Sequence, residues 1–307
     1  MRNKAWLFLG CLVMFSGIGA LLRAIELRTA LDPSTMLMDM VPASILLLVL
    51  SALVLGLTGL FARKAAPEEL PRRYNRCFGG VGSLAVSAAA LILSVLGALF
   101  CLRERSSNWD IQLFLGLLAL TGFLAGAAWL ALGLDGWRKK KEDSFLSAVL
   151  PVIFCGLFLI VFYKGYAQLP ALLYTLYPFL GLCAALGALH LIAGFSAGRV
   201  RPRLTLFLCG AGAYLCAVSV AGVEEASFRL FFAAVALELA AHGVCLLLPH
   251  PPEPEEEKEE EAAAPEGDEA KAEGTEPPAA EADAAEAAPA AEADAADESG
   301  AGEDKAE

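Results

Sequence analysis

The sequence predicts an all-α, polytopic membrane protein with about eight transmembrane helices arranged as four hairpins, followed by an acidic tail. Hydrophobic residues make up 57% of the 307 residues, against roughly 45 to 50% in soluble domains. Mean hydropathy is +0.58 although the last fifth of the chain is strongly polar. Charge divides the chain in the same way, because residues 249–307 have 22 acidic and 3 basic side chains, net −19, whereas residues 1–248 have 13 and 20, net +7.

Eight apolar stretches reach or approach the length that crosses a bilayer. A helix needs roughly 20 apolar residues to span about 30 Å of hydrocarbon, because lipid offers no hydrogen-bonding partner to an exposed backbone. The predicted spans cover residues 5–22, 41–62, 78–102, 111–134, 145–163, 171–195, 204–222 and 228–248. The first and fifth spans are short, and the sixth contains Pro178.

The first span also has features of a secretory signal peptide. Arg2 and Lys4 precede an apolar run that ends in small residues such as Gly19 and Ala20, and this order is typical of a cleaved leader. Seven further spans follow it. We therefore expect the first helix to stay uncleaved in the membrane.

Basic residues in the loops predict the orientation of the bundle. Lys and Arg near helix ends are retained on the cytoplasmic side. The N-terminus and the second, fourth and sixth loops carry 14 of them, whereas the first, third, fifth and seventh loops carry 6. Both termini are therefore predicted to be cytoplasmic. Short loops and the lack of an organellar targeting signal favour the cell membrane of a bacterium.

Two helix ends resemble each other. The second span ends Leu-Gly-Leu-Thr-Gly before Arg63 and Lys64, and the fourth ends Leu-Gly-Leu-Asp-Gly before Arg138 and Lys139. Hairpin duplication would account for the likeness. Chance would account for it equally, because Leu and Gly are common throughout these spans. Small residues such as Gly122 and Gly126 predict close helix packing.

The tail, residues 249–307, is predicted to be disordered and cytoplasmic. It consists mainly of Pro, Ala, Glu and Asp and has no aromatic residue, so it cannot bury enough surface to offset its ordering entropy. Its ordinary role would be to stay solvated. A tether for a basic cytoplasmic protein or for cations is the alternative.

The sequence predicts no catalytic, cofactor-binding or metal site of a familiar kind. Seven of the eight cysteines lie in or at the ends of apolar runs, only Cys77 lies in a polar loop, and no Cys-x-x-Cys occurs. Cysteines in such runs usually pack as small hydrophobes. The basic clusters are short and adjoin helix ends, so we expect the bilayer, and not nucleic acid, as the partner.

Glu238 is the main candidate for a functional group inside the membrane. It lies at the middle of the last span, and His242 follows one helical turn later on the same face. Ionisable residues at mid-helix are costly and often mark ion or proton pathways. His190 is expected at a similar depth in the sixth span and is a possible third member. Neighbouring helices could equally satisfy all three side chains by hydrogen bonding.

A second pattern is Glu224-Glu225-Ala226-Ser227-Phe228-Arg229. It resembles the Glu-Glu-x-x-x-Arg signature of the CAAX-processing and bacteriocin-processing (CPBP) intramembrane metalloproteases. The resemblance implies that these glutamates and later histidines would gather around a metal inside the membrane. The chain departs from the family pattern in three ways: the pair falls in a short outer loop, no Phe-x-x-x-His follows, and His242 is followed four residues later by Leu246 in place of Asn or Asp. His250 lies beyond the predicted membrane span.

Three functions are therefore open from the sequence. The first is a non-enzymatic membrane protein with a structural, regulatory or partner-binding role. The second is a proton-coupled secondary transporter or permease that uses Glu238 and His242, and the third is an intramembrane metalloprotease. A decisive observation would be whether Glu238 faces lipid, protein or a cavity.

Overall fold

The computed structural model describes residues 2–30, 41–67, 70, 74–104, 109–138, 145–166 and 172–249. The regular elements of these described residues are all helices: α1 Arg2–Ala30, α2 Pro42–Ala65, α3 Tyr74–Phe78, α4 Val81–Arg103, α5 Trp109–Trp137, α6 Phe145–Tyr166, α7 Leu172–Phe195, α8 Pro202–Val220 and α9 Ala226–Leu247. Eight of them, all except α3, are long and apolar enough to cross a membrane. The structure thus confirms the predicted fold class. The predicted acidic tail and His250 lie outside the described residues.

Consecutive spans pack as four hairpins, three of which surround the fourth. The pairs α1 with α2, α4 with α5, α6 with α7, and α8 with α9 are each in contact. Helix α8 also packs on α1, α2 and α7, and α9 packs on α1 and α4. The most apolar stretches of α8 and α9 are 67% and 56% buried, against 22% and 28% for α1 and α2. The last hairpin therefore forms the centre of the bundle.

The α4–α5 hairpin owes its close packing to small residues. A Cβ atom built on Gly126 would lie 2.9 Å from Cβ of Ser94 and 3.2 Å from Cα of Leu91. On the same face, the Phe231 ring of α9 occupies the space beside Gly97 and Gly122. Helices in lipid associate largely through such van der Waals contact, which small residues permit.

Helix α1 is longer than predicted. The predicted span ended at residue 22, whereas α1 continues to Ala30. The prediction was wrong because it stopped at the first charge, Arg23, which is fully buried and paired with Glu26 one turn later. The two charges neutralise each other, so the helix can continue within the bundle. The other seven spans agree with prediction to within three residues at each end.

Helix α3 is a short element that the sequence analysis did not predict. Its residues Tyr74, Asn75, Cys77 and Phe78 are buried, and it contacts α5, α7 and α9. Placing Cys77 in a polar loop was therefore wrong, because its side chain is only 2% exposed. Phe78 packs on Phe195 of α7 with ring centroids 5.2 Å apart. Helix α3 thus packs against one end of the bundle.

Candidate functional site

Glu238 and His242 lie together inside the protein and not against lipid. Both belong to α9, the central helix that contacts α1, α4 and α8. Their side chains are 1% and 4% exposed. The spacing of four residues places them on one face, and Oε2 of Glu238 lies 3.4 Å from Nδ1 of His242. The sequence prediction of a shared face is therefore confirmed.

The hydrogen bonds of His242 define its tautomer. Its Nδ1 lies 2.7 Å from the main-chain carbonyl oxygen of Glu238. A carbonyl oxygen can only accept, so Nδ1 carries a proton and donates. Its Nε2 lies 2.8 Å from the hydroxyl of Tyr74, and in the neutral ring this nitrogen accepts the hydroxyl proton. One imidazole thereby joins the central helix to α3.

The carboxyl group of Glu238 has hydrogen-bonding capacity left over. The Ser87 hydroxyl is the polar group of α4 that interacts with this carboxyl. Its Oε1 is buried and has no hydrogen-bond partner among the described residues. Most buried polar atoms in proteins are satisfied, so an exception calls for a physical reason. A carboxyl group in this state can hold a proton or accept a donor that enters the site.

The surroundings of the pair are mostly aromatic and apolar. The Phe78 ring lies 4.8 Å from the His242 ring, centroid to centroid. Phe8 of α1 and Cys209 of α8 approach α9 at Gly243, and Cys245 interacts with Ser83 of α4. Tyr74 and Cys245 are therefore the titratable neighbours that α3 and α9 contribute.

A layer of phenylalanines lies between this pair and the opposite end of the bundle. The closest pairs are Phe158 with Phe232, 4.9 Å between centroids, and Phe154 with Phe231, 5.2 Å. Its six members come from α6 and α9: Phe154, Phe158, Phe162, Phe228, Phe231 and Phe232. In this conformation the layer separates the Glu238–His242 pair from the polar groups at the far end.

His190 does not join the pair. Its side chain is exposed and lines a groove between α6 and α7 together with Arg199 and Arg201. His242 instead faces Tyr74 and Phe78 in the bundle interior. His190 and His242 were expected at similar depths in the membrane, but similar depth did not bring them together. The His190 side chain projects outwards from α7, whereas the His242 side chain projects into the bundle.

Sequence reasoning missed a second buried charged cluster, at the opposite end of the bundle. Nη1 of Arg23 lies 2.6 Å from Oε2 of Glu26, and Nη2 donates to the carbonyl oxygen of Tyr174, 2.7 Å away. The guanidinium carbon also lies 5.2 Å from the ring centroid of Tyr177. Opposite charges three residues apart at the end of an apolar run were the available signal.

This arginine cluster continues towards the start of α9. The Tyr166 ring packs on Tyr174, with centroids 5.8 Å apart, and its hydroxyl donates to Glu225. Ser51 of α2 bonds to the Tyr214 hydroxyl of α8 at 3.0 Å. Polar contacts thus join the loop before α9 to α6 and α7 at one end of the bundle.

The two glutamates of the metalloprotease pattern do not approach His242. Glu224 is exposed, Glu225 precedes the first turn of α9, and Arg229 donates to the carbonyl of Val223. At about 1.5 Å per residue, His242 lies about 25 Å away along the helix. The described residues contain no cluster of three or more His, Cys, Asp or Glu that could hold a metal. Among the described residues, Glu224 and Glu225 therefore do not share with His242 the metal site that the resemblance implied.

Comparisons of this chain with family models, with curated proteins and with solved structures returned no match. Function is therefore inferred from the geometry of the chain itself.

Proposed function

We propose that this chain is a non-enzymatic, multi-pass membrane protein with a regulatory role, in which proton binding at Glu238 and His242 controls the attachment of α3 to the bundle. The observation that supports this most strongly is the Tyr74–His242 hydrogen bond. It joins an ionisable group on the central helix to a five-residue helix that is held by few other elements.

Protonation of His242 changes this joint directly. In the neutral ring, Nε2 accepts from the Tyr74 hydroxyl, whereas in the charged ring both nitrogens donate. Nε2–H of the charged ring then donates to the Tyr74 oxygen, so the hydroxyl proton must rotate away and lose its acceptor. The charged ring also stays buried beside Phe78 and Glu238. Leaving the buried hydroxyl proton without an acceptor costs about 1 kcal/mol, and burying the charged ring costs more. Acidification therefore favours release of α3.

The titratable groups around this joint act on the same equilibrium. Glu238 is 3.4 Å from His242 and favours the charged ring when it is itself ionised. The other titratable neighbours are Tyr74 of α3 and Cys245 of α9. The remaining helices contribute groups that do not titrate near neutral pH: Phe8 of α1, Ser87 of α4, Phe195 of α7, which packs on Phe78, and the buried thiol Cys209 of α8. Asp135 of α5 is buried near the same end.

Cys77 provides a reporter for the test. It lies in α3, three residues after Tyr74, and is buried. With the other seven cysteines replaced by serine or alanine, the full chain in lipid nanodiscs would be labelled with a maleimide between about pH 5 and pH 8. Each labelling rate is divided by the rate of the unfolded chain at the same pH. This division removes the pH dependence that any thiol shows towards maleimide.

The expected result is faster normalised labelling of Cys77 at low pH. His242→Gln, which retains hydrogen bonding but does not titrate, should remove the pH dependence. Tyr74→Phe should give fast labelling already at neutral pH, about fivefold above wild type for a lost bond of about 1 kcal/mol. Labelling of Cys77 that does not change with pH would refute the proposal.

A proton-coupled transporter is the second candidate, and the Oε1 atom of Glu238, which has no partner among the described residues, favours it. A coupling carboxyl must exchange its proton or solute during each cycle, so spare bonding capacity suits that role. Proteoliposomes with an imposed pH gradient test it through an internal pH dye and a panel of small solutes. Flux that Glu238→Gln abolishes, while the protein remains folded, would favour transport over regulation alone.

A further inference from the structure

A groove with a volume of about 670 Å³ lies between α6 and α7 at the end of the bundle that the sequence predicts to be cytoplasmic. We name it the α6–α7 groove. Binding sites for small molecules commonly have volumes of about 300 to 1,000 Å³. Its wall is apolar and its rim is basic, as six of its lining residues illustrate: Phe145, Val149, Val152, His190, Arg199 and Arg201.

The turn after α7 fixes the basic side of the groove. In the turn that follows the end of α7 at Phe195, Gly198 has φ 71°, a left-handed conformation that favours glycine after helix ends. The amide of Arg199 then donates to the carbonyl of Gly194 at 2.9 Å, and the amide of Gly198 donates to Phe195 at 3.1 Å. This closed turn directs the chain from α7 into α8. Arg199 and Arg201 therefore occupy defined positions beside the groove.

The charged residues among the described lining of the groove are both arginines. His190, Arg199 and Arg201 are all exposed, and none of the described lining residues is acidic. Arginine presents a planar set of N–H donors that matches the oxygens of a phosphate group. The imidazole of His190 adds a further nitrogen on the α7 side. The complementary ligand is therefore a phosphate.

The position of the groove in the membrane selects the source of that phosphate. Phe145, Val149 and Val152 follow one another along the first two turns of α6, so the apolar wall runs from the helix end into the hydrocarbon layer. The arginines lie at the helix ends, where head groups are found. Basic pockets between transmembrane helices on the cytoplasmic side bind anionic lipid head groups.

We propose that the α6–α7 groove is a binding site for one anionic phospholipid. Arg199 and Arg201 contact the phosphate, His190 lies beside the glycerol region, and an acyl chain packs along Phe145, Val149 and Val152. The groove does not include Glu238 or His242, so this proposal does not depend on the proposed regulatory function.

Retention of lipid by the purified full chain tests the proposal. The protein would be extracted from nanodiscs that contain phosphatidylcholine with a minority of phosphatidylglycerol, and bound lipid counted by native mass spectrometry. One tightly held phosphatidylglycerol is expected. Arg199→Gln with Arg201→Gln should lower its retention about tenfold. Arg63→Gln with Lys64→Gln removes the same charge at the end of α2, outside the groove, and should leave retention unchanged.

Two further measurements distinguish a lipid seated in the groove from free phosphate and from a general attraction to basic charge. Val149→Trp fills the apolar wall and keeps every charge, so it should also release the lipid if an acyl chain occupies the groove. Inorganic phosphate at millimolar concentration should not displace the lipid. The proposal is overturned if the Arg63 and Lys64 control loses as much lipid, if Val149→Trp has no effect, or if free phosphate competes.

Discussion

The buried charge of Arg23 is tolerated because it has specific partners. Arg23 is fully buried, but Glu26, the carbonyl of Tyr174 and the ring of Tyr177 surround its guanidinium. A buried charge without such partners is strongly unfavourable. The pair therefore contributes little net stability, whereas the loss of one member leaves the other uncompensated.

Single substitutions in this pair should be more damaging than the double substitution. Arg23→Met or Glu26→Leu alone should lower the free energy of unfolding by about 3 kcal/mol or more, and the double variant should recover most of that loss. Arg28→Met is the matched control, because Arg28 is exposed on the same helix. Unfolding in mixed micelles measures all four variants. A double variant as unstable as the worse single variant would show that the pair is not coupled.

Sequence alone identified one of the two buried charged sites, for a physical reason. Glu238 and His242 interrupt an apolar run at its middle, where a charge is conspicuous. Arg23 and Glu26 lie at the edge of a run, where a charge ordinarily indicates the start of a loop. Tyr74 could not be assigned to His242, because 168 residues separate the two in sequence. Such a contact depends on how the helices pack.

At the scale of the helices, periodic signals were predictable and short elements were not. The eight spans were predictable from long apolar runs. A helix in lipid must make all its backbone hydrogen bonds internally and must cross the whole hydrocarbon layer, so each run has a minimum length. Helix α3 has five residues, too few for a periodic pattern. Gly79, directly after α3, is in close backbone contact with Gly136 of α5. A Cβ atom built on Gly79 would lie 2.7 Å from the carbonyl oxygen of Gly136, and one built on Gly136 would lie 2.7 Å from Cα of Gly79.

The contact between Gly79 and Gly136 predicts a selective effect of adding one methyl group. Gly136→Ala should destabilise the protein by about 1 to 3 kcal/mol, because the new Cβ meets Cα of Gly79 and a main chain yields less easily than a side chain. It should also raise the labelling of Cys77 in α3. Gly116→Ala in the same helix is the control, since a Cβ there meets nothing within 4 Å. Equal effects of the two changes would argue against close α3–α5 packing.

At the scale of the whole molecule, the eight spans bring both ends of the helical unit to one side. Phe8 near the start of α1 packs on Phe61 near the end of α2, and it also approaches Gly243 near the end of α9. The described basic residues of the even-numbered loops, among them Arg63, Arg138 and Arg199, adjoin helix ends on this same side. The loop count assigned Arg23 to the first loop, at the opposite end of the bundle. Arg23 is instead buried in an ion pair within α1, so it should not be counted as a loop charge. This strengthens the charge asymmetry on which the predicted orientation depends.

The orientation itself is tested by thiol labelling in intact cells. In a cysteine-free variant, Ser106→Cys places a thiol between α4 and α5, and Ser299→Cys places one in the acidic tail. A membrane-impermeant maleimide should label position 106 in intact cells and position 299 only after lysis, because basic loops are retained in the cytoplasm. The reverse pattern would invert the bundle and place the α6–α7 groove in the outer leaflet. The same labelling after Arg199→Gln with Arg201→Gln tests whether the basic loops set this orientation. Because many basic residues contribute, the labelling pattern should survive the loss of these two.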